Sequence, residues 1–348
     1  MAHTNRPGRF RLLRTISTAA AVLLASMTPA PALAAPPATM QAVRIHAFGG
    51  PETLTLENIP TPQPGEGQIL VKVHAAGVNP VDWKIREGRF RDPSLALPMT
   101  LGFDVAGVVE SVGEGVERFR AGDKVYAYLS LKRGGAYAEY VTIDEGEAAL
   151  KPYTLDDVEA AGVPLAALTA WQALFDQADL KPGQTVLIHG AAGGVGTFAV
   201  QLAKAKGATV IGTASEKNHA YLKELGADRV IDYNTERFEE VVSDVDVVLD
   251  SIGGDTQARS FAVLKPGGVL VSIVGPVSPQ KAAQFGVQGK SMLVQPSAAQ
   301  LAEIGSLIDQ GKVKSVVSHV MPLADAAKAH EQSQSGHTRA KIVLRVSE

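Results

Sequence analysis

A glycine-rich turn between an apolar run and a helical segment is the feature that most constrains this fold. The stretch IHGAAGGVGTFAVQLAK spans residues 188–204 and contains Ala191-x-Gly193-x-x-Gly196. A strand ending at His189 leads into the turn, and a helix follows directly. Small residues let the backbone approach a pyrophosphate, which then faces the unpaired N–H groups of the helix N-terminus. The context predicts a dinucleotide loop; the alternative is a turn whose glycines serve close packing alone.

The residues that follow alternate between strand and helix patterns. The alternating runs are TVLIHG, VGTFAVQLAKAKG, TVIGTAS, KNHAYLKELGA, RVIDY, VDVVLDSIGG, FAVLKPGG and VLVSIVG. Buried strands separated by helices of about ten residues indicate βαβ units and a parallel sheet covered on both faces. We therefore predict a doubly wound α/β nucleotide-binding domain over residues 161–298.

Residues 41–160 have a different texture, with short alternating or apolar runs separated by Gly, Pro and Asp. This spacing predicts an antiparallel, barrel-like β domain. Thr154 is a plausible N-cap for a helical pattern that continues to Pro182 and Gly183. Residues 299–348 contain helix and strand patterns, and we expect this tail to pack back against the first domain.

The N-terminus has the pattern of a cleavable export signal over residues 1–34. An apolar run of about a dozen residues, shorter than the roughly 20 that span a bilayer, precedes the small residues Ala32 and Ala34. The run itself follows four arginines, Arg6, Arg9, Arg11 and Arg14. We expect cleavage after Ala34 and a periplasmic or secreted protein that is free of the membrane. The alternative is a cytoplasmic protein whose translation starts at Met40.

Composition excludes two classes of partner and site. The formal charge is −3, and the only dense cluster of basic residues lies in the leader, so we expect no nucleic-acid partner. The sequence has no cysteine, which excludes disulfides and cysteine-ligated zinc.

The end of the second strand of the nucleotide-binding domain favours one cofactor. An NAD enzyme usually has a carboxylate there, on the ribose 2′-hydroxyl. This chain has Ser215 and Lys217, with Asn218 beside them, which suit a 2′-phosphate. Glu216 and a merely solvated Lys217 are the observations against this interpretation. The sequence therefore favours NADPH over NADH.

Several segments carry a family resemblance that covers essentially everything after Met40. They are AAGVNPVDWKIREG (75–88), LGFDVAGVVESVGEGV (101–116), GDKVYA (122–127), PLAALTAWQAL (164–174), GAAGGVGTFAVQLAKAKGA (190–208), LGADRVIDY (225–233) and LKPGGVLVSIVG (264–275). They resemble the quinone oxidoreductase and alkenal (enone) reductase branch of the zinc-independent medium-chain dehydrogenase/reductase superfamily. The resemblance implies a Rossmann domain inserted between parts of a GroES-like β-barrel catalytic domain, and a homodimer.

Zinc alcohol dehydrogenases share this scaffold, so the positions of their metal ligands matter for this chain. By resemblance, Asn79, Phe103 and Leu165 stand where those enzymes have zinc ligands, and the four-cysteine lobe is missing. None of the three side chains supplies a thiolate or an imidazole, and His74 is expected to be a strand histidine with its own partner. We predict no metal, which makes alcohol oxidation difficult because no Lewis acid lowers the pKa of a substrate hydroxyl.

The resemblance also implies roles for individual residues. Asn79 corresponds to an asparagine beside the nicotinamide. Lys84 stands where quinone reductases have a tyrosine and alkenal reductases a lysine, and it is the candidate for polarising the substrate oxygen or touching the cofactor; a surface lysine is the alternative. The remaining cofactor residues are Thr169, the loop residues Ala192, Gly193, Gly194, Val195 and Gly196, the 2′-phosphate residues Ser215, Lys217 and Tyr233, and the sheet-edge glycines Gly253 and Gly275.

Two positions depart from the family pattern. Ala340 replaces a usual glycine, which leaves open the local turn and the cofactor role of Arg339 or Lys341. Trp83 adds a large aromatic ring beside the expected site, either over the substrate or in the core.

The sequence therefore predicts an NADPH-dependent, zinc-independent oxidoreductase that transfers hydride to an activated C=C bond or a quinone. Such a substrate is already polarised and needs only a donor for its developing oxyanion. A strict quinone reductase is one alternative. An exported NADPH-binding protein with little or no turnover is another.

Overall fold

The computed structural model describes residues 1–4, 8, 36–90 and 95–347. The predicted leader and its cleavage site therefore lie almost entirely outside the described residues. Residues 35–348 form one compact unit. Within the described ranges, no helix is long and apolar enough to cross a membrane.

The first part of this unit is built from antiparallel strands. They are β1 (Thr39–Ile45), β2 (Thr55–Pro60), β3 (Gln68–Val78), β4 (Met99–Thr100), β5 (Asp104–Val112), β6 (Lys124–Tyr128), β7 (Tyr140–Asp144) and β8 (Ala148–Leu150). Helix α1 (Pro80–Arg86) follows β3, and single 3-10 turns lie at Pro51–Thr53 and Glu145–Glu147. Strands β2, β1 and β4 form a small sheet, while β3, β5, β6, β7 and β8 belong to a larger one.

Strand β3 is the centre of the larger sheet. It pairs antiparallel with β5 and with β7, and its eleven residues are mostly buried. Ile69, Val71 and Val73 are fully buried in the main core. β-Branched side chains suit such a pleated, buried surface. The predicted GroES-like β domain is confirmed.

A parallel sheet follows the helical segments of residues 157–177 along the chain. Its strands are β9 (Thr185–Ile188), β10 (Thr209–Ala214), β11 (Arg229–Asp232), β12 (Val245–Asp250), β13 (Leu264–Ser272) and β14 (Gln288–Ser291), and its order is β11-β10-β9-β12-β13-β14. This is the Rossmann order, with the strand order reversing between β9 and β12. The doubly wound prediction is confirmed.

Short helices connect these strands. They are α4 (Gly194–Ala205), α5 (His219–Glu224), α6 (Phe238–Val241), α7 (Gly254–Ser260) and α8 (Pro279–Gln284), preceded along the chain by α2 (Asp157–Ala161) and α3 (Pro164–Trp171). A π-helical segment extends α3 over Gln172–Gln177, and single 3-10 turns lie at Glu216–Asn218 and Phe261–Val263.

The predicted helix start at Thr154 is wrong. Asp156 is the N-cap of α2, and its side chain accepts a hydrogen bond of 2.7 Å from the Glu159 N–H. The Glu159 carboxylate accepts from the Asp156 N–H in return, which completes a capping box. The Thr154 hydroxyl instead donates to Asp309, a contact that only the folded tail provides.

The tail contains α9 (Ala298–Asp309), β15 (Val317–Pro322), α10 (Ala326–Gln334) and β16 (Lys341–Arg345), with a 3-10 turn at Leu323–Asp325. β16 pairs antiparallel with β3, with Val343 opposite Gly77. The tail therefore adds a strand to the sheet of the first part of the unit. β15 adds to the sheet in parallel beside β16.

Candidate active site and dinucleotide cleft

The glycine-rich turn forms the N-terminus of α4, as the sequence predicts. Gly193 is the N-cap, and no side chain of a described residue caps the helix. A Cβ at Gly196 would lie 2.3 Å from the Gly190 carbonyl oxygen, so only glycine fits there. At Gly193 the nearest atom to a built Cβ is 3.3 Å away. A twelve-residue helix with a bare, small-residue N-terminus suits a phosphate anion.

Four further predicted cofactor residues lie just beyond the carboxyl ends of the parallel strands. Ser215 follows β10, Tyr233 follows β11, Gly253 lies three residues after β12, and Gly275 lies three residues after β13. The strands are in parallel register with β9, so these positions share one edge of the sheet with the α4 loop. Ligands of open α/β sheets bind at this edge. Their individual roles stay predictions.

The segment after β10 exposes the side chain of Lys217 to solvent. Lys217 and Glu216 are both exposed, whereas the Ser215 hydroxyl accepts a hydrogen bond of 3.1 Å from the Asn218 side chain. Tyr233 is 60% exposed. Because Glu216 is exposed, its carboxylate does not point into the sheet. Its orientation is therefore no argument against a 2′-phosphate beside Ser215 and Lys217.

Arg339 lies over the ring of Tyr221, with its guanidinium carbon 4.9 Å from the ring centre. Burial raises the pKa of Tyr221 to about 12, and its hydroxyl has no hydrogen-bond partner in the described part of the chain. Sequence reasoning missed Tyr221, because its position matters only once the tail brings Arg339 to α5.

The tail touches the dinucleotide loop directly. The Ala340 N–H donates to the Ala192 carbonyl at 2.9 Å, and Ala340 forms an isolated parallel bridge with Gly193. Ala340 has φ of +54°, in the left-handed region that usually requires glycine. The turn is therefore kept despite the alanine, at a cost of about 1 kcal/mol. A Cβ at Gly194 would lie 3.1 Å from Cδ of Lys341, so this lysine lies against the loop.

Asn79 lies at the centre of a buried polar group, hereafter the Asn79 cluster, which consists of Asn79, Asp104 and Lys341. Asn79 is the N-cap of α1 and is 2% exposed. Its amide Nδ2 donates to Asp104 Oδ2 at 2.9 Å, and its Oδ1 accepts from the Lys341 ammonium. Lys341 Nζ also lies 3.3 Å from Asp104 Oδ2.

Asp104 is the fixed anchor of the Asn79 cluster. Its other carboxylate oxygen accepts from the Leu165 N–H at 2.6 Å. Burial raises the pKa of Asp104, while the Lys341 ammonium and the Asn79 amide oppose the rise by stabilising the charged form. Sequence reasoning missed Asp104, although an acidic residue after GF at the start of an otherwise apolar strand is a detectable signal.

The three positions that correspond to the zinc ligands of alcohol dehydrogenases therefore hold side chains with other contacts. Phe103 is fully buried in the core, the Leu165 backbone N–H donates to Asp104, and Asn79 is engaged by Lys341 and Asp104. Across the described ranges, no group of three or more His, Asp or Glu side chains is placed to hold a metal. His74 of β3 bonds Asp157 at 2.7 Å, as expected for a strand histidine with its own partner.

A second buried network, made of hydrogen bonds between side chains, holds α1. The Arg86 guanidinium donates to His330 Nδ1 at 3.3 Å, which leaves the proton of the neutral imidazole on Nε2. His330 Nε2 lies 3.2 Å from the Tyr137 hydroxyl, and that hydroxyl donates to Asp82 Oδ2 at 3.1 Å. Asp82 Oδ2 also accepts from the Asn79 N–H at 2.5 Å. The network therefore joins α10 to the start of α1.

Burial perturbs both ends of this network. Burial is the main cause that raises the pKa of Asp82 to about 7, and the negative charge of Asp104 adds to it. Burial also lowers the pKa of His330 to about 3, assisted by the Arg86 charge. Asp82 Oδ1 is buried and has no hydrogen-bond partner among the described residues. Neutral His330 and a carboxyl that titrates near neutrality follow from this environment.

Asp82→Asn should change the pH dependence of stability. Between its ordinary value of 3.8 and about 7, the folded protein holds a proton on Asp82 that the unfolded chain has released. The Asp82 contribution to stability is therefore full below pH 3.8 and is lost as the pH rises towards 7. Asparagine does not titrate, so the free energy of unfolding of the variant minus that of the wild type should increase over this range, by up to about 4 kcal/mol.

Urea unfolding of both proteins at several pH values measures this difference. The effect of His330 has the opposite sign, because a depressed histidine pKa costs stability as the pH falls, but it is common to both proteins and cancels. A difference that stays constant from pH 4 to pH 7 would contradict the raised pKa of Asp82.

The other predicted catalytic residue, Lys84, lies on α1 beside Trp83. Its ammonium is 5.6 Å from the centre of the Trp83 ring, and the Arg89 guanidinium is also 5.6 Å from it. The Trp83 indole N–H is buried without a partner in the part of the chain that is described. The Thr169 hydroxyl donates to the Leu165 carbonyl at 2.7 Å, so towards a ligand it is placed to accept. These roles stay predictions.

Known proteins resemble this chain over most of its length. Residues 65–153 match the alcohol dehydrogenase GroES-like domain, and residues 225–344 match the zinc-binding dehydrogenase family. The NADPH-dependent alkenal/one oxidoreductase of Arabidopsis thaliana chloroplasts is 37% identical over 319 residues, covering 88% of this chain and 80% of that protein.

Two solved structures extend the resemblance to three dimensions. The quinone oxidoreductase from Coxiella burnetii is 39% identical with a TM-score of 0.84, covering 88% of this chain and 99% of that one. The Escherichia coli quinone oxidoreductase complexed with NADPH is 34% identical with a TM-score of 0.81, covering 88% and 100%. At these identities and coverages the likeness extends to the family and not only to the fold.

Proposed function

We propose that this chain, which belongs to the quinone oxidoreductase branch of the zinc-independent medium-chain dehydrogenase/reductase superfamily, is an NADPH-dependent reductase of activated C=C bonds and quinones. Membership makes it an oxidoreductase with a nicotinamide cofactor and a small-molecule substrate. NADPH as the cofactor, and enones, alkenals and quinones as the substrates, are the proposal.

One observation carries the proposal. The tail segment Ala340–Lys341 contacts the dinucleotide loop through the Ala192 carbonyl and, one residue later, reaches Asn79 with its ammonium. The bare N-terminus of α4 and the start of α1 are therefore both in contact with the same two residues of the tail. We expect a dinucleotide whose pyrophosphate binds at α4 to extend towards Asn79.

The residues of the chain divide the chemical work. Bound NADPH supplies the hydride. The α4 N-terminus holds the pyrophosphate by its free N–H groups and dipole. Asn79, the N-cap of the short helix α1, and Lys84, in its last turn, are the candidate donors to the oxygen that gains negative charge as the substrate is reduced. The substrate is polarised by conjugation, so these neutral and cationic donors suffice where an alcohol dehydrogenase needs a Lewis acid.

Turnover tests the proposal directly. The purified protein is mixed with NADPH and either methyl vinyl ketone or benzoquinone, and NADPH oxidation is followed by absorbance. Consumption with either acceptor is the expected result, and the ratio of the two kcat/KM values separates an enone reductase from a strict quinone reductase. Tight NADPH binding without turnover on either acceptor would contradict the proposal and favour a binding protein.

Lys217→Ala should separate NADPH from NADH. Lys217 is exposed at the carboxyl edge of the sheet, where the 2′-phosphate of NADPH is expected, and its ammonium has no counterpart to bind in NADH. The KM for NADPH should rise about tenfold or more while that for NADH changes little. The matched control is Lys223→Ala, an exposed lysine of α5, which removes the same charge a few residues away. Equal losses for both cofactors would contradict the 2′-phosphate role.

Location and assembly remain predictions. Export after cleavage following Ala34 is checked by sequencing the N-terminus of the protein isolated from its host, where a start at Met40 would support a cytoplasmic enzyme. The homodimer expected from family resemblance is checked by the molar mass in solution.

A further inference from the structure

The Asn79 cluster contains a buried ion pair, formed by Lys341 and Asp104, that a contribution to stability does not explain. Lys341 is 3% exposed and Asp104 is fully buried, and the pair is separated by 3.3 Å. Removing two charges from water costs about as much as their attraction returns, so a buried pair is weak evidence for stability. A role at the candidate active site therefore explains the pair better than a contribution to stability does.

The pair fixes the orientation of the Asn79 amide. Its Oδ1 accepts from the Lys341 ammonium, and its Nδ2 donates to the Asp104 carboxylate at 2.9 Å. A flipped amide would bring an NH2 group against an ammonium and an oxygen against a carboxylate, which is repulsive at both ends. One of the two Nδ2 hydrogens is committed to Asp104, and no partner for the other is found among the described residues.

The same pair fixes where the amide lies. Asp104 is held by the Leu165 N–H at 2.6 Å, and Lys341 follows Ala340, whose N–H bonds the dinucleotide loop at 2.9 Å. The lysine stem also lies against Gly194. The group that holds Asn79 is thus attached to the β domain on one side and to the loop on the other.

We propose that Lys341 and Asp104 are positioning residues that lock the Asn79 amide with its second N–H turned towards the reacting atoms. The inference rests on the proposed reductase function. It assigns to the ion pair the task of presenting a polarised neutral donor, since an ammonium on Oδ1 strengthens the N–H groups of the same amide.

The double variant Asp104→Asn with Lys341→Met separates this task from a structural one. Lys and Met are similar in length, and removing both charges leaves no unpaired buried ion, so the fold should survive. The carbonyl of the new amide can still accept from the Leu165 N–H, which turns the NH2 group of that amide towards Asn79. Two facing NH2 groups repel, so the Asn79 amide turns over and its available N–H is lost from the site.

The chain offers a matched control. Lys151 is also a mostly buried lysine, with 8% side-chain exposure, and its ammonium pairs with Asp157 at 3.0 Å in the same β domain. The control double variant is Asp157→Asn with Lys151→Met, which removes a less buried pair, with Asp157 27% exposed, away from Asn79; the new amide can still bond His74.

The measured quantities are kcat, the KM for NADPH and the urea midpoint of each protein. The site double variant should lose about 30-fold or more in kcat with a KM for NADPH within about threefold of wild type, whereas the control should keep kcat within about twofold. A folded site variant with wild-type kcat overturns the inference, as does an equal loss of kcat in the control.

A second variant covers the case in which the site double variant does not fold. Lys341→Met alone leaves no unpaired buried ammonium, and the buried Asp104, whose pKa burial raises, can become neutral by holding a proton. It removes the ammonium that fixes Asn79 Oδ1 and should lower kcat by about tenfold, with unchanged NADPH affinity by fluorescence titration. Wild-type kcat in that variant overturns the inference. A wild-type protein with no turnover at all overturns the proposed function, and this inference with it, so the two failures are distinguished by the wild-type assay.

Discussion

Gly196→Ala is expected to weaken NADPH binding severely. A Cβ at this position would lie 2.3 Å from the Gly190 oxygen and 2.6 Å from the Ala191 oxygen. Both are backbone atoms of the loop itself, so the methyl group fits only if the strand end and the helix start move apart. That movement displaces the N–H groups that face the pyrophosphate. NADPH affinity should fall by about 100-fold or more, with a loss of about 1–3 kcal/mol in stability.

Fluorescence titration with NADPH and urea unfolding measure the two effects. The matched control is Gly146→Ala, since a Cβ at Gly146 meets no atom within 4 Å and Gly146 is not in the left-handed region. The control should bind NADPH as the wild type does. An unchanged NADPH affinity in the Gly196 variant would show that the loop does not hold the dinucleotide.

Arg86→Met is expected to cause the largest loss of stability among the substitutions considered. Arg86 is fully buried, and its guanidinium donates to the Gly49 carbonyl at 3.1 Å, to Gln334 at 2.9 Å and to His330 at 3.3 Å. Methionine fills much of the space but leaves these acceptors without a donor. The cost should be about 3–5 kcal/mol.

The control lies three residues further along the chain. Arg89 pairs with Glu87 at 2.7 Å, but its side chain is 66% exposed, so Arg89→Ala should change the free energy of unfolding by less than about 1 kcal/mol. Urea unfolding at neutral pH compares the two. Equal effects of both substitutions would mean that the network of Arg86, His330, Tyr137 and Asp82 does not hold α1 in place.

The Rossmann part of the fold was predictable because its signals are local. The glycine spacing of the α4 loop, the alternation of apolar runs with helical segments, and the Ser215–Lys217 segment after β10 are all read within a few residues. The helix start near Thr154 was missed although its signal is also local. Asp156 and Thr154 are both acceptable caps, but Glu159, three residues after Asp156, completes a capping box with it, and Thr154 bonds Asp309 instead.

The candidate site was predictable where a residue acts from its own element and not where it acts through a partner. The loop glycines were found because they lie between a strand and a helix start, and Asn79 was found because its segment resembles the family. Asp104, Tyr137 and His330 were missed, since each gains its meaning from a contact across the sheet or with the tail.

The sequence by itself determined the glycine-rich loop, the order of the domains and the lack of cysteine ligands, because glycine geometry, apolar periodicity and side-chain chemistry act over short ranges. The tertiary structure alone decided which side chains surround Asn79. Asp104 and Lys341 are far apart in sequence and meet there only because β16 pairs with β3, and burial then makes their charges orient the amide between them.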